Sequence, residues 1–571
     1  MQNSDVSRLL AEMADLLDLC GESPFKVRAY RQAAQAVDGL ARPAREMWNS
    51  GELKTVAGIG SRMFTHIGDI LERGDFPEHR EMAERMPPGL LEVMKIEGVG
   101  PKTAAAVWKA LNINDVDELE AACRSGRILD VPRMGAARVH ALLLAIERHR
   151  ARRGRTPLHE ALDRAQGLLT ELRRVPGVAA AEAAGSLRRR RETVGDVDLL
   201  VAATDAEAIA RRVRQLPGVA GVVAEGPTKT SLRLGSGLQV DVRVVPPEAF
   251  GAALHYFTGS KEHNIALRTR AVRRGIKLNE YGVFDREDHR LGGLHEEDVF
   301  RAVGLPFIAP ELREGAGEIE AAEAGQLPRL IEVDDLRGDL HVHSNASSDG
   351  RSTLAEMAGQ ARRLGRRYLA ITDHSRSRPL GLSAEQLMAH AERVRTFSRQ
   401  HGDEPRLLAG IEVDILNDGS LDLPREILAG LDWVVASIHS RLHDPPERLT
   451  ERLLAAIRSG VVDVIGHPTG RQLGGRDPYE FDFDRVLQAC RDEGVALEVN
   501  AMPDRLDLND RMCRQAAEHG VKLAISSDAH HESQLGNLFF GVWVARRGWL
   551  RKQDVLNTWD WPALRAWRRR R

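Results

Sequence analysis

Cysteine is scarce in this chain, and what cysteine there is forms no pairs. Cys20, Cys123, Cys490 and Cys513 lie far apart along 571 residues, with no Cys-x-x-Cys among them. Neither a disulfide framework nor a cysteine zinc knuckle is supported. No run approaches about 18 consecutive apolar residues, so no membrane-spanning helix is expected. Aromatic residues make up only 5% of the chain while arginine is abundant, which reads as genome composition more than function. Charge of neither sign is in excess, at 81 basic against 83 acidic residues. Any attraction for a polyanion must therefore be local. The N-terminus is acidic and amphipathic, unlike a signal peptide. The expected setting is soluble, reducing and cytoplasmic. A chain of this length exceeds one hydrophobic core, so three or more compact units are expected.

What is present divides into two chemically distinct halves. Residues 1–150 read as helical, with Leu9, Leu10, Met13, Leu16 and Leu17 at helical spacing. From about 180 the period changes. The stretches from Asp196 and from Leu238 alternate as strands do, with a helix near 204–215 between them. Residues 311–335 are rich in Glu, Ala and Gly and read as a tether. After 336, apolar strands at 338–342, 368–372, 407–413, 432–438, 461–466, 495–499 and 521–526 alternate with helices. That pattern predicts parallel strands with crossover helices, in an open sheet or a closed barrel.

Two hairpins stand out in the helical half. Val56-Ala-Gly58-Ile-Gly60 and Ile96-Glu-Gly98-Val-Gly100-Pro-Lys102 both place Gly-x-Gly ahead of a helix. Glycines allow a tight turn, and the free amides at the helix start can bind a phosphate. A degenerate third copy begins at Val131. These segments resemble helix–hairpin–helix elements, which grip the DNA backbone without reading sequence. Gly58, Gly60, Gly98, Gly100 and Lys102 are the expected DNA contacts. The plain alternative is that such glycines only close helical hairpins.

The middle of the chain carries Gly185-Ser186, three further arginines after Arg188, then Gly195-Asp196-Val-Asp198. Residues two apart on a strand face the same way, so Asp196 and Asp198 project together. Two such carboxylates repel unless a cation or a proton lies between them. Asp241, in a second strand, could join them. Three converging acids suit two magnesium ions, which favour hard oxygen ligands and bridge substrate phosphates. The Gly185-Ser186 turn, with Arg189 nearby, could hold a nucleotide's phosphates.

With Tyr256-Phe257-Thr-Gly259-Ser, Asn264 and Arg268 following in order, residues 1–315 resemble a bacterial family X DNA polymerase. The resemblance implies a multidomain order: a helical DNA-binding domain at 1–80, fingers at 81–150, a nucleotidyltransferase palm at 151–250 and a thumb at 251–315. It implies Asp196, Asp198 and Asp241 as catalytic ligands of Mg2+ or Mn2+. Gly185, Ser186, Arg189 and Gly195 would meet the triphosphate. Tyr256, Phe257 and Gly259 would lie beside the sugar, and Asn264 and Arg268 would contact the nucleotide or the template side. Two positions depart from the family pattern. Where relatives with a deoxyribose-phosphate lyase carry lysine, this chain has His66, and a Schiff base requires an amine; Lys54 is the nearest amine in sequence. Gln239 stands where relatives often have arginine.

Histidines and acids also recur at the ends of the C-terminal strands: His341, His343, Asp349, His374, Glu412, His439, His467, Asp528 and His530. Strand-end side chains point into the space above a barrel, where ligands collect. Mixed imidazole and carboxylate donors suit zinc, manganese or iron. A lone histidine in such a place is usually a hydrogen-bonded core residue, but nine together are not. Residues 336–571, after a linker at 316–335, resemble a polymerase and histidinol phosphatase (PHP) domain, an α/β TIM-like (β/α)7 barrel. The resemblance implies a cluster of two or three Mn2+, Zn2+ or Fe2+ ions that hydrolyses phosphoesters. His263, His401, His443, His519 and His531 match no ligand position and are expected at the surface or behind the ligands. The terminal Trp567-Arg-Arg-Arg-Arg571 reads as a charged tail.

The combined expectation is a monomeric DNA repair polymerase acting on gapped or nicked DNA with deoxynucleoside triphosphates, in base excision repair. The barrel would digest 3′ to 5′, with cutting at abasic sites and removal of 3′ blocks as further reactions. The alternative is a metal-dependent phosphatase whose front half only binds DNA.

Overall fold

The computed structural model describes residues 3–568, apart from Gly39, Ala41, Arg42, Ala57, Pro88, Glu97, Arg133, Arg153, Pro217, Ser348 and Asp403. Backbone contacts divide the chain into two units, essentially 1–153 and 154–571. Among the described residues no helix is long and apolar enough to cross a membrane.

In the first unit, the helix Asn3–Leu19 buries Leu9, Leu10, Met13, Leu16 and Leu17, the stripe expected from their spacing. It packs on Pro24–Asp38. The two Gly-x-Gly turns lead into the helices Ser61–Arg73 and Pro101–Leu111. The third copy builds the same turn ahead of Ala136–Arg152. In each copy an amide three residues on bonds back to the leading apolar carbonyl: Ile59 to Val56 (3.0 Å), Val99 to Ile96 (2.9 Å) and Met134 to Val131 (3.1 Å). The apolar pair, not the first glycine, is the shared determinant, since Ile59, Ile96, Val99, Val131 and Met134 are all buried.

The second unit begins with a five-stranded sheet: β1 (Ala180–Ala183), β2 (Asp196–Ala202), β3 (Val219–Glu225), β4 (Lys229–Leu234) and β5 (Gln239–Val245), in the order β1-β2-β5-β4-β3. β2 and β5 run parallel and pair Asp198 with Asp241. The helices Leu158–Arg173 and Ala206–Val213 cover this sheet with Leu168, Leu172, Ile209 and Val213. The helices Phe250–Thr258, Lys261–Arg273 and Glu296–Ala302 and a small antiparallel sheet follow.

The stretch read as a tether is ordered. It carries a helix, Glu318–Glu323, and Ile331 is fully buried, with its amide bonded to the Leu550 carbonyl at 3.0 Å. Glu318 is buried, accepting from the Gly315 and Ala316 amides and pairing with His263 Nδ1 at 2.8 Å. Composition misled because the glutamates that suggested solvent serve as caps and ion-pair partners. His263, placed by sequence at the surface or behind the ligands, is instead fully buried away from them in this pair.

The barrel consists of β6 (Gly338–Val342), β7 (Tyr368–Ile371), β8 (Arg406–Asp414), β9 (Trp433–Ser437), β10 (Val464–Ile465), β11 (Ala496–Asn500) and β12 (Leu523–Ser526). All seven are parallel, each beside the next, and a bridge from Val342 to Ala529 closes the ring. Leu340, Ala370, Leu408, Val435, Val464, Ala496 and Ala524 fill the interior with Tyr368 and Trp433. The alternate residues face the surrounding helices, so both strand faces are buried and the strands read as unbroken apolar runs. The terminal segment is not simply a charged tail. Trp567 packs on Trp433 with centroids 6.5 Å apart, and Arg568 pairs with Asp463 at 2.9 Å. Arg569–Arg571 lie outside the described residues.

Candidate active sites

The sheet of the second unit sets the first site. Asp196 and Asp198 project together from the start of β2, and register places Asp241 beside Asp198. Asp196 is exposed, Asp198 half-buried and Asp241 buried. Burial, then the charges of Asp196 and Asp241, push the Asp198 carboxyl up to about 6. A carboxyl so raised marks surplus negative charge, which fits a hard cation. Lys229 Nζ lies 2.5 Å from Asp241 Oδ2, and Gln239 Nε2 donates to Asp241 Oδ1 at 3.2 Å. Burial opposes ionisation of Asp241, but these partners and Ser231 outweigh it and hold its carboxyl below the usual range. The three acids do not draw together within 4.8 Å as the barrel groups do.

The Gly185-Ser186 turn is locked to this floor. Gly185 sits at φ 59°, and a Cβ there would come 2.4 Å from Asp198 Oδ2. The Ala184 amide bonds the Asp198 carbonyl at 2.8 Å. Beyond the turn opens a cleft of about 910 Å³ lined by Gly185, Ser186, Arg189, Gly195, Asp196 and Asp198 on one side. Tyr256, Phe257, Gly259, Asn264 and Arg268 line the other. Every nucleotide-site residue expected from sequence is thus brought to one cleft. Tyr256 and Phe257 meet edge to face at 5.1 Å, and Asn264 Nδ2 donates to the Tyr256 carbonyl at 2.7 Å. The Arg189 side chain is tethered at the rim: its Nε lies 3.0 Å from Glu314 and its Nη1 donates to the Thr258 carbonyl. Sequence reading missed Arg155, Arg191, Arg243 and Lys261, which add cationic lining. It also missed Lys229. Arg155 and Arg243 reach the cleft, and Lys229 reaches Asp241, only through the fold, whereas Arg191 and Lys261 adjoin the motifs in sequence.

The barrel builds the second site at the carboxyl ends of its strands. The register of β6 against β7 slips between Asp339 and Val342. This irregularity turns Val342 outward although Leu340 points in, and leaves His341 and His343 on the ligand side. Three donor groups result, each within 4.8 Å: His343, Asp349, His374 and His530; His341, His343 and Asp528; and His374, Glu412 and His439. His467 lies outside them, but its Nε2 stands 2.9 Å from Glu412 Oε1. All nine expected residues therefore meet. A fourth group, Asp285, Glu287 and His289, is a half-exposed turn elsewhere, where Asp285 caps its own backbone amides.

These residues fit metal ions. His341 Nε2, both His343 nitrogens and His467 Nδ1 are buried without a hydrogen-bond partner, and His374 Nδ1 and Glu412 Oε2 face each other at 2.6 Å. Unpaired buried donors and acceptors are costly, and a cation would satisfy them together. Burial drives His343 down to about 3, helped by the charges of His530 and His374. Burial pulls His341 down too, but Glu498, Asp528 and Glu412 outweigh it and hold it well above its ordinary value. Asp349 is opposed by burial, yet hydrogen bonds from His374 and His530 keep it well below the carboxylate range. Asp349 and His530 are the accessible members, with side chains 41% and 25% exposed, and mark the mouth. Glu412 is sealed beneath.

A second layer aims these side chains. Glu498 accepts from His341 Nδ1 at 2.8 Å and from the His467 amide at 2.6 Å. Asp414 holds His439 Nδ1, and Asn500 donates to Asp528 at 3.0 Å. Such partners set which imidazole nitrogen is free to bind. Sequence reading passed over Glu498, yet an acid inside the apolar strand Ala496–Asn500 was a usable signal.

In the first unit, Gly58 and Gly98 take left-handed φ of 89° and 83°, as tight turns require. Gly60 and Gly100 have ordinary φ, and nothing stands where a Cβ would be. The His66 side chain is buried, within 2.7 Å of Glu78, and Lys54 Nζ rests over the Phe64 ring at 4.7 Å.

Comparison with known proteins agrees with this division. A family model described as a helix-hairpin-helix domain matches residues 1–76, and one for a SAM-like helix-hairpin-helix tandem matches 90–148. A DNA polymerase beta thumb model matches 253–314, and a PHP domain model matches 339–502. The chain is 36% identical over 562 residues to the DNA polymerase/3′-5′ exonuclease PolX of Bacillus subtilis, covering 98% of this chain and 97% of that protein. A probable phosphatase of a Thermoanaerobacter species is 32% identical over 230 residues, 38% of this chain and 89% of that protein. One from Vibrio parahaemolyticus is 33% identical over 215 residues, 36% of this chain and 81% of that one.

Proposed function

The chain belongs to the family X DNA polymerases that end in a PHP domain, and we propose that it fills short gaps in nicked or gapped DNA during base excision repair. It is a DNA polymerase with a 3′-5′ exonuclease, and its barrel holds clusters able to coordinate metal. The domain division proposed is 1–80, 81–150, 151–250, 251–315 and 336–571, with 316–335 joining the last two. The observation that carries the reading is the meeting of two donor sets of different chemistry in one chain. One is carboxylate-only beside a phosphate turn; the other is imidazole-rich at a barrel mouth.

In the palm, Asp196, Asp198 and Asp241 would hold Mg2+ or Mn2+, which supplies charge neutralisation at the triphosphate and acidifies the primer 3′ hydroxyl. The chain's own residues orient the nucleotide. Ser186 and the amides of its turn meet the phosphates, and Arg189 adds charge-assisted hydrogen bonds. Tyr256 and Phe257 form a wall beside the sugar, kept in place by Asn264. In the barrel, the nine donors would hold two or three ions of Mn2+, Zn2+ or Fe2+, which supply Lewis acidity at the phosphodiester. Asp349 and His530, at the mouth, meet the DNA end first, while Glu498 and Asp414 fix the imidazoles behind it. The hairpins offer the backbone amides around Gly58, Gly60, Gly98 and Gly100, with Lys102, to phosphates, a grip that weakens as salt rises.

A second reading concerns the barrel alone. The probable phosphatases match it over 38% and 36% of this chain, which favours removal of 3′-terminal phosphates as an additional reaction. The test is primer extension and 3′ digestion on gapped DNA with each metal added separately. Asp198→Ala is expected to abolish extension and spare digestion. His341→Ala with His343→Ala is expected to do the reverse. Undiminished extension by Asp198→Ala defeats the palm assignment.

A further inference from the structure

The charged residues after the phosphate turn leave it in different directions. Arg188 reaches the Thr258 hydroxyl at 2.7 Å and both oxygens of Glu296, at 2.8 and 2.7 Å. Arg189 lines the nucleotide cleft. Arg190 takes a left-handed φ of 57° and lays its guanidinium 4.0 Å from the Trp543 ring centre. Glu192 accepts from Arg471, the nearer contact being 2.5 Å. Trp543 and Arg471 belong to the barrel.

Trp543 and Arg547 stand one helical turn apart on the barrel helix Leu538–Arg547 and so share a face. Arg547 Nη1 donates to the carbonyl oxygen of Arg189 at 2.8 Å and to Glu314 Oε1 at 2.8 Å. Its Nη2 donates to Asp510 at 2.6 Å, and its side chain is only 3% exposed. Glu314 Oε1 also accepts from Arg189 Nε. One buried barrel guanidinium therefore grips both the backbone of Arg189 and the carboxylate that competes for its charge. The helix itself is seated in the barrel wall through Leu538, Val542 and Ala545.

We propose that this helix is a positioning element of the polymerase site. Arg547 and Trp543 hold the turn from Gly185 to Arg190 so that Arg189 presents its remaining N–H groups to the triphosphate. The barrel thus serves polymerisation independently of its own metal chemistry. The physical reason is competition. While Glu314 is shared with Arg547, Arg189 keeps part of its charge for the phosphates. Without Arg547 the carboxylate, left with Arg191 at 3.6 Å as its other cation, pairs more closely with Arg189 and draws it off. The inference rests on Arg189 acting at the nucleotide, as proposed above.

The experiment measures single-nucleotide incorporation into a gapped duplex whose primer ends in a digestion-resistant phosphorothioate. Digestion of an ordinary 3′ end is measured in parallel, on the full chain. Arg547→Ala is expected to raise the nucleotide KM roughly tenfold, the size of one charge-assisted hydrogen bond, with digestion within about twofold of the parent. Adding Glu314→Gln to it is expected to restore part of the KM, an outcome a merely structural role does not produce. Trp543→Leu keeps apolar bulk in the helix but removes the ring face, and is expected to raise KM about threefold. Parental KM values in Arg547→Ala and Trp543→Leu overturn the proposal. If Arg547→Ala loses both activities together, Trp543→Leu decides: raised KM with intact digestion upholds it, and parental KM or joint loss overturns it. A parent that extends no primer removes the polymerase reading instead.

Discussion

His79 shows how two partners overturn a burial penalty. It is 5% exposed, and burial alone pulls its pKa down, but Glu12 and Asp75 outweigh that and raise it above its ordinary 6.5. A raised folded-state value contributes stability that is complete below the unfolded pKa and is lost as pH rises through the folded one. Amide protection in Asn3–Leu19 and Pro77–Glu84, corrected for intrinsic exchange, is therefore expected to fall from pH 6 to pH 9. His79→Gln is expected to flatten that fall. At the barrel, Glu498→Gln is expected to weaken Mn2+ binding by roughly 10–100-fold in titration calorimetry while leaving primer extension untouched. An unchanged affinity would mean that His341 needs no partner to orient it. The candidate ligands themselves were legible in the sequence, Asp196 with Asp198 because they share a strand face by alternation, and His341 with His343 because they end an apolar strand, although the slip in β6 rather than simple alternation sets their side. Glu498, Lys229 and Arg547 were not. Their roles are set by what lies across the fold, 157 residues away in the case of His341 and Glu498.

Among the elements, the hairpins separate two uses of glycine. Gly58→Ala places a side chain at φ 89°, 3.4 Å from the Gln32 carbonyl oxygen, and is expected to cost about 1–2 kcal/mol of stability in urea unfolding. Gly60→Ala meets no atom and no strain, and is expected to change stability by less than about 0.5 kcal/mol. It is nevertheless expected to weaken binding to duplex DNA at low salt, because the added methyl would stand where the proposed contact brings a phosphate. Equal DNA affinity in fluorescence anisotropy would show that this turn only closes a hairpin. Strands were read well from sequence: six of the seven barrel strands fall within two residues of their expected ends, since double-sided burial makes each a continuous apolar run. The exception is the fifth, expected over 461–466 and observed as Val464–Ile465. Alternation says nothing of the slip in β6, which depends on a neighbouring strand. Composition also misjudged Glu318–Glu323, where Glu318 caps and pairs with His263 and Glu323 pairs with Arg270.

At the scale of the molecule, the sheet of the palm and the barrel belong to one unit of contacts. Besides Arg547, Arg546 pairs with Glu311 at 2.8 Å and with Glu332 at 2.5 Å. A chain beginning at residue 154 is expected to unfold in one calorimetric transition. One ending at 315 strips the barrel's arginines from Glu192, Glu311 and Glu314, and is expected to melt lower or aggregate. Two independent transitions in the 154–571 chain would contradict this coupling. Length alone led to an expectation of three or more compact units, whereas the contacts make two, because palm and barrel are joined by side-chain pairs such as Arg471 with Glu192 that leave no local pattern.

The ordered join has a consequence for editing. A mispaired primer terminus cannot be carried from synthesis to digestion on a swinging arm, because the two catalytic bodies are riveted together by buried guanidinium groups. The nucleic acid must do the travelling, by fraying, sliding or letting go. On the grip proposed for the hairpins, transfer of a terminus between the sites would depend on how loosely they hold the duplex, and a tighter clasp would slow it.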